Sequence, residues 1–404
     1  MTASIIIICF LILLSYVFDM HSSKIKVPSV ILLLFLGWLV KQMLKLFEIG
    51  IPDLQSFLPL LGTIGLILIV LEGSLGLKIS KRKLPFISRS FFVAFVGIFL
   101  FSLSLGYVFH IVEGIPLKYA LTNAIPLSVI SSAIAIPTAQ NLMARNREFI
   151  TYESTLSDIV GVIFFNFITF NEYINTYSIG GFVLNLFITL VVSFVFTLAL
   201  SALLSKVNHH VKYTPIIVIL ILIYAVSKHY HLPALLFIFL FGIFLANINK
   251  FKRYRYIQKL EPEVLVAEVN KFRDLVVEFA FLIRSLFFLL FGFLVNTSEL
   301  LNSQTILWAL GIVTLIYVVR LILLKVFRFS LKPLLFIAPR GLITILLFLS
   351  VPLSQRFDLV NNSLIIQVII ITSLIMSLAA MPRKKKPRLK AQNDKEDEEP
   401  VLLS

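Results

Sequence analysis

Asp158 stands in Thr155-Leu156-Ser157-Asp158-Ile159-Val160-Gly161, inside a stretch otherwise apolar enough to cross a membrane. A carboxylate at the centre of a membrane helix costs about 2.5–3.5 kcal/mol on insertion scales, and such groups mark ion or proton sites. An acid placed there, with hydroxyls beside it, can hold either a proton or a small cation. Ser154 lies four residues earlier and shares its helix face, and Ser157 is adjacent. Upstream, Pro126 and Pro137 bracket a run in which Ser131, Ser132 and Thr138 offer further oxygens. Oxygen ligands suit hard cations, and nothing here suits a transition metal. The single cysteine, Cys9, excludes a disulfide framework and cysteine-based metal sites.

The cationic residues of the apolar segments are Arg284, Arg320 and Arg340, with Glu72, Glu153 and Glu278 as candidate partners. Glu153, Arg284 and Arg320 read as buried charges that fix helix packing. Arg340, in Pro339-Arg340-Gly341, stands at a second break and can also compete with the charge of a bound substrate. An enzyme site would need clustered His, Asp or Ser near one face. The six histidines (His21, His110, His209, His210, His229 and His231) all fall in or near loops. Adjacent residues such as His209 and His210 cannot chelate from one helix face. The expectation is a protein that is not an enzyme and uses no cofactor.

These residues need elements to position them. The chain is 59% hydrophobic with a mean hydropathy of +0.98, which excludes an ordinary soluble domain. Apolar stretches of ~18–25 residues recur, each able to cross about 30 Å of hydrocarbon. Thirteen spans are expected, starting near Ser4, Val27, Leu58, Phe91, Leu117, Phe149, Ile179, Thr214, Pro233, Val276, Thr305, Pro333 and Ser363. Only Met1-Thr2-Ala3 precedes the first, with no basic leader, so it is kept as a span rather than a signal peptide. With the N-terminus outside, Lys and Arg collect in alternate connections: 24–26, 78–89, 145–147, 206–212, 250–259, 325–332 and the tail 383–390. The opposite connections hold Lys41, Lys45, Lys118 and Lys228. This is the positive-inside pattern, and it keeps its phase along the whole chain. It also explains the net charge of +15 without nucleic acid.

Residues 1–381 thus form an all-α transmembrane domain. Residues 250–274 are expected as an amphipathic surface helix, and 382–404 as a disordered cytoplasmic tail that turns from basic to acidic. The broken spans five (Pro126, Pro137) and twelve (Pro333, Pro339, Gly341) occupy the fifth place in spans one to six and eight to thirteen. Two inverted repeats, about 1–175 and 213–381, follow, linked by span seven, with broken helices at the midplane.

Glu153-Ser154-Thr155-Leu156-Ser157-Asp158 resembles the E-S-x-x-N-D signature of monovalent cation:proton antiporters of the NhaP/sodium–proton exchanger type. Leu71 to Leu77 is similar to that family's F-E-x-G-L stretch, Arg284 to Gly292 to its R-T-F-F-F-x-x-x-G, and Pro339-Arg340-Gly341 to its G-P-R-G. The resemblance implies crossed broken helices, a homodimer, elevator-like alternating access, and Glu153, Ser154 and Asp158 as carried-over site residues. Two departures stand out. Ser157 replaces the family's Asn, and Ser131-Ser132-Ala133 aligns with its T-D-P, so the second acid is missing. A single acid implies electroneutral exchange of one proton for one Na+, K+ or Li+. The alternative is a degenerate member that conducts or senses ions, or carries another substrate. A bacterial plasma membrane is the expected location.

Overall fold

The structure is a computed structural model that describes residues 9–18, 20, 28–48, 54–140, 142–173, 175–206, 213–230, 232–250, 258 and 262–379. The tail from 382 and His21, His209, His210 and His231 lie outside the described residues. Among the described residues every regular element is helical. Eight segments are long and apolar enough to cross a membrane. Four shorter apolar helices, with the broken segment Leu334–Leu349, occupy the remaining expected places.

The spans run Cys9–Phe18, Ser29–Leu46, Phe57–Leu75, Leu84–Glu113, then span five in two halves, Leu117–Ser128 and Ser132–Ala139. Span six is Ala144–Phe170 and span seven Thr176–Lys206. Spans eight and nine are Tyr213–His229 and Ala234–Ala246, span ten Pro262–Leu294 and span eleven Ser303–Val326. Span twelve joins a short turn, Leu334–Phe336, to Leu342–Leu349, and span thirteen is Asn362–Ala379. The first interruption, residues 129–131, falls between Pro126 and Pro137, which lie inside the two half-helices, and the second contains Pro339.

The charged segment expected as a surface helix differs in the structure. From Pro262 onward it is continuous with span ten, a single helix of 33 residues, about 50 Å long. The reason is one uninterrupted apolar stripe. Leu265, Val269, Phe272, Val276 and Ala280 are all buried at helical spacing, so neither phase nor a breaker ends the helix before the span begins. Its first turns are held by Tyr213, whose hydroxyl donates to Glu268 Oε2 at 2.6 Å. Residues 251–257 and 259–261 lie outside the described residues.

Close packing comes from small residues rather than from a water-driven force. Spans two and ten meet backbone to backbone. A Cβ on Gly37 would lie 2.0 Å from the Leu289 carbonyl oxygen, and one on Gly292 2.2 Å from that of Leu34. Lys41, expected in an outer connection, lies within span two. Its Nζ donates to the carbonyls of Leu294 and Val295 and to Asn296 Oδ1, so a cation caps the C-terminal end of span ten. At the opposite end, the connection after span three is held from two sides. Asn247 accepts from the Ile79 amide at 2.8 Å and donates to the Leu77 carbonyl at 2.9 Å. Tyr152 of span six donates to the Lys78 carbonyl at 3.0 Å.

Gly37→Ala is expected to force spans two and ten apart and destabilise the protein by about 1–3 kcal/mol. Thermal unfolding in detergent checks this, and an unchanged midpoint would refute the close approach.

Candidate ion-binding site at the helix crossing

A broken helix leaves N–H and C=O groups without intrahelical partners, and hydrocarbon offers none. The two breaks satisfy each other. Val129 is extended (φ −77°, ψ 129°) after the first half of span five. The Ser131 amide donates to the Pro339 carbonyl at 2.9 Å, joining the breaks directly. The Ile130 amide donates to Ser157 Oγ of span six at 3.0 Å. Arg340 Nε donates to the Leu127 carbonyl at 2.6 Å and Nη1 to Ala338 at 3.1 Å, while its own amide donates to Thr372 Oγ1 at 3.1 Å. Gly341 is required at this point. A Cβ there would lie 2.6 Å from Ser131 Oγ and 2.8 Å from Ile134 Cδ1.

The dipoles are matched as well. Arg340 places a cation at the C-terminal end of the first half of span five, and its guanidinium also lies 5.8 Å from the centre of the Phe101 ring. Asp158 sits at the N-terminal end of the second half, where an anion is favoured. Its Oδ2 accepts from Ser132 Oγ. The residue is fully buried, and Oδ1 has no partner. Among the described residues no Lys, Arg or His forms an ion pair with it.

The other sequence candidates divide. Ser132 meets Asp158 and Ser157 braces the break. Ser131 sits in the crossing with its hydroxyl unpaired. Ser154 shares the face of Asp158 and is buried, but its hydrogen goes to the Ile150 carbonyl at 2.7 Å. Thr138 lies six residues beyond Ser132, about 9 Å along the helix, and donates to Ile134. Glu153, expected among the cation-binding residues, is fully engaged elsewhere. Arg320 Nη1 and Nη2 donate to its two oxygens at 2.7 and 2.9 Å, and Arg320 Nε donates to the Leu334 carbonyl at 2.7 Å. Five residues along a helix turn Glu153 well away from the Asp158 direction. With Ser157, Arg320 and Arg340 it lines a separate cavity of about 30 Å³. Arg284 reaches the Ala133 carbonyl at 3.4 Å, from span ten to the second half of span five. Glu278 is exposed. Sequence reasoning passed over Thr372 and Phe101, whose roles depend on contacts across the fold. It also passed over Thr155, although its spacing of three from Asp158 was visible.

The Glu153–Arg320 pair is buried on both sides, so removing one partner strands a charge. Glu153→Gln is expected to destabilise by about 3–5 kcal/mol, and the double variant with Arg320→Met by less than Glu153→Gln alone. Thermal unfolding of the three proteins checks this, and additive losses would show that the pair is not coupled.

A family model for sodium/hydrogen exchangers, transmembrane, matches residues 7–382. No curated protein sequence matches the chain. Among solved structures, the sodium proton antiporter MjNhaP1 from Methanocaldococcus jannaschii at pH 8 is similar in fold, with a TM-score of 0.67 and 19% identity over 94% of this chain and 95% of that one. An electron-microscopy map of the same antiporter gives a TM-score of 0.67 and 20% identity over 94% of each chain. Thirteen helical spans among the described residues, two of them broken and in contact, and a buried acid at their crossing accompany a match over nearly the whole length, and the chain belongs to the sodium/hydrogen exchanger family of membrane transporters.

Proposed function

We propose that the protein exchanges one proton for one monovalent cation (Na+, K+ or Li+) by competition at Asp158. The observation that carries this reading is the buried carboxylate with one oxygen bonded to Ser132 and the other unpaired. A carboxyl group that holds a proton has no charge left for a cation, and one that coordinates a cation has no place for the proton. Exchange follows when a single such site opens alternately to the two sides. Asp158, Ser132 and Ser154 supply oxygens, Ser131 and Ser157 hold the break, and Arg340, Arg284 and Arg320 with Glu153 keep the surrounding helices in register. The inverted repeats, the movement of the broken spans past the others, the homodimer, and a bacterial plasma membrane with the C-terminus inside belong to the same reading.

Stoichiometry follows from the charge count. Ser131-Ser132-Ala133 contains no acid, so one proton leaves as one cation enters and no net charge moves. Purified protein in liposomes is expected to show cation-driven pH change with Na+, K+ or Li+. Asp158→Asn is expected to abolish it while leaving the elution profile and thermal midpoint intact. Exchange persisting in that variant would sink the assignment. A transient current on a solid-supported membrane after a cation jump would sink the one-for-one ratio. A member that conducts or senses ions would show cation flux without obligatory proton counterflow.

A further inference from the structure

Serine and threonine inside a helix usually return their hydroxyl hydrogen to the carbonyl three or four residues back. Several buried or half-buried hydroxyls here do so: Thr122 to Lys118, Thr138 to Ile134, Ser154 to Ile150, Ser193 to Thr189 and Thr372 to Val368. Thr155 does not. It is 1% exposed, and its Oγ1 has no partner. The residue lies three residues before Asp158 and therefore at a neighbouring position of the same face. Asp158 Oδ1 is likewise buried and unpaired. A buried carboxylate oxygen and a buried hydroxyl on one face, each without a partner, cost free energy unless a further group satisfies them.

Thr155 packs closely against span three. Its side chain lies over Gly73 of span three, where a Cβ would come within 2.9 Å of Oγ1 and 3.2 Å of Cγ2. Gly73 lets the threonine approach the backbone of span three and offers it no acceptor side chain. The hydroxyl thus stands where span six meets span three, one turn before Asp158 on span six.

We propose that Thr155 Oγ1 is a direct ligand of the transported cation, completing with Asp158 Oδ1 a pair of oxygens on span six. This rests on the exchange reading above and adds a residue that acts on one of the two competing ions. A hydroxyl oxygen donates a lone pair to a metal cation in an ion–dipole contact, whereas to a protonated Asp158 it offers only a weaker neutral hydrogen bond. Thr155 therefore tilts the competition toward the cation.

The test is transport by purified protein in liposomes, with initial rates over a range of Na+, K+ and Li+ at two pH values. Thr155→Val keeps the shape over Gly73 and removes the oxygen. It is expected to raise the KM for the cation about tenfold with a maximal rate within twofold of the parent. Thr155→Ser restores the oxygen and is expected to bring the KM back to within threefold. Inhibition by protons should persist in both. An unchanged KM in Thr155→Val, or a lost maximal rate at unchanged KM, would overturn the ligand role, the latter pointing to packing against Gly73. If Thr155→Val does not fold, Thr155→Ala is read by the same KM criterion. Absence of exchange in the parent protein with all three cations would overturn the exchange reading itself, a result distinct from any change among the variants.

Discussion

Hydrocarbon cannot hydrogen-bond to a peptide group, and two helices are interrupted in the middle of this protein. Most of the inner architecture follows from that constraint. Four freed backbone groups near the crossing are each met from a different span: Pro339 meets Ser131, Ser157 meets Ile130, Arg340 meets Leu127 and Thr372 meets Arg340. Satisfying the breaks therefore gathers spans five, six, twelve and thirteen about one point. That point is also where two half-helix dipoles end, one needing a cation and the other tolerating an anion. Arg340 and Asp158 fill these places, so the buried acid at the crossing is set among the same contacts that allow the helices to be broken at all.

The buried pair of Glu153 and Arg320 works differently. Glu153 and Arg320 neutralise one another, and the remaining Arg320 donor ties span twelve at Leu334. Because both Glu153 oxygens are occupied, the glutamate leaves Asp158 as the buried acid with a free oxygen at the crossing. Span six thus carries a paired acid, Glu153, on one face and an unpaired one, Asp158, on another, more than a quarter-turn apart.

Much of this was legible in the sequence, and the physical reasons differ by feature. Asp158 and the prolines of spans five and twelve stand out because polar and helix-breaking residues are conspicuous against an apolar background. The count of thirteen spans was legible because lysine and arginine alternate in phase with the connections. The partner of Glu153 was not legible, since Arg320 is 167 residues away and Arg284 was an equal candidate by composition. Nor was the continuation of residues 262–274 into span ten. An amphipathic stripe has the same period whether the helix lies along a surface or runs on into a span. The unpaired hydroxyl of Thr155 was hidden because most hydroxyls in helices bond back to their own backbone.

The connection between spans three and four spans only residues 76–80 before the turn at Lys81–Lys83. Asn247 fastens it to the end of span nine and Tyr152 to span six. Five residues fully stretched reach about 17 Å. The linker is accordingly a short leash between the helices before it and those after it. It caps the stroke of any sliding between them, and the Tyr152 clasp must open before that slack can be used.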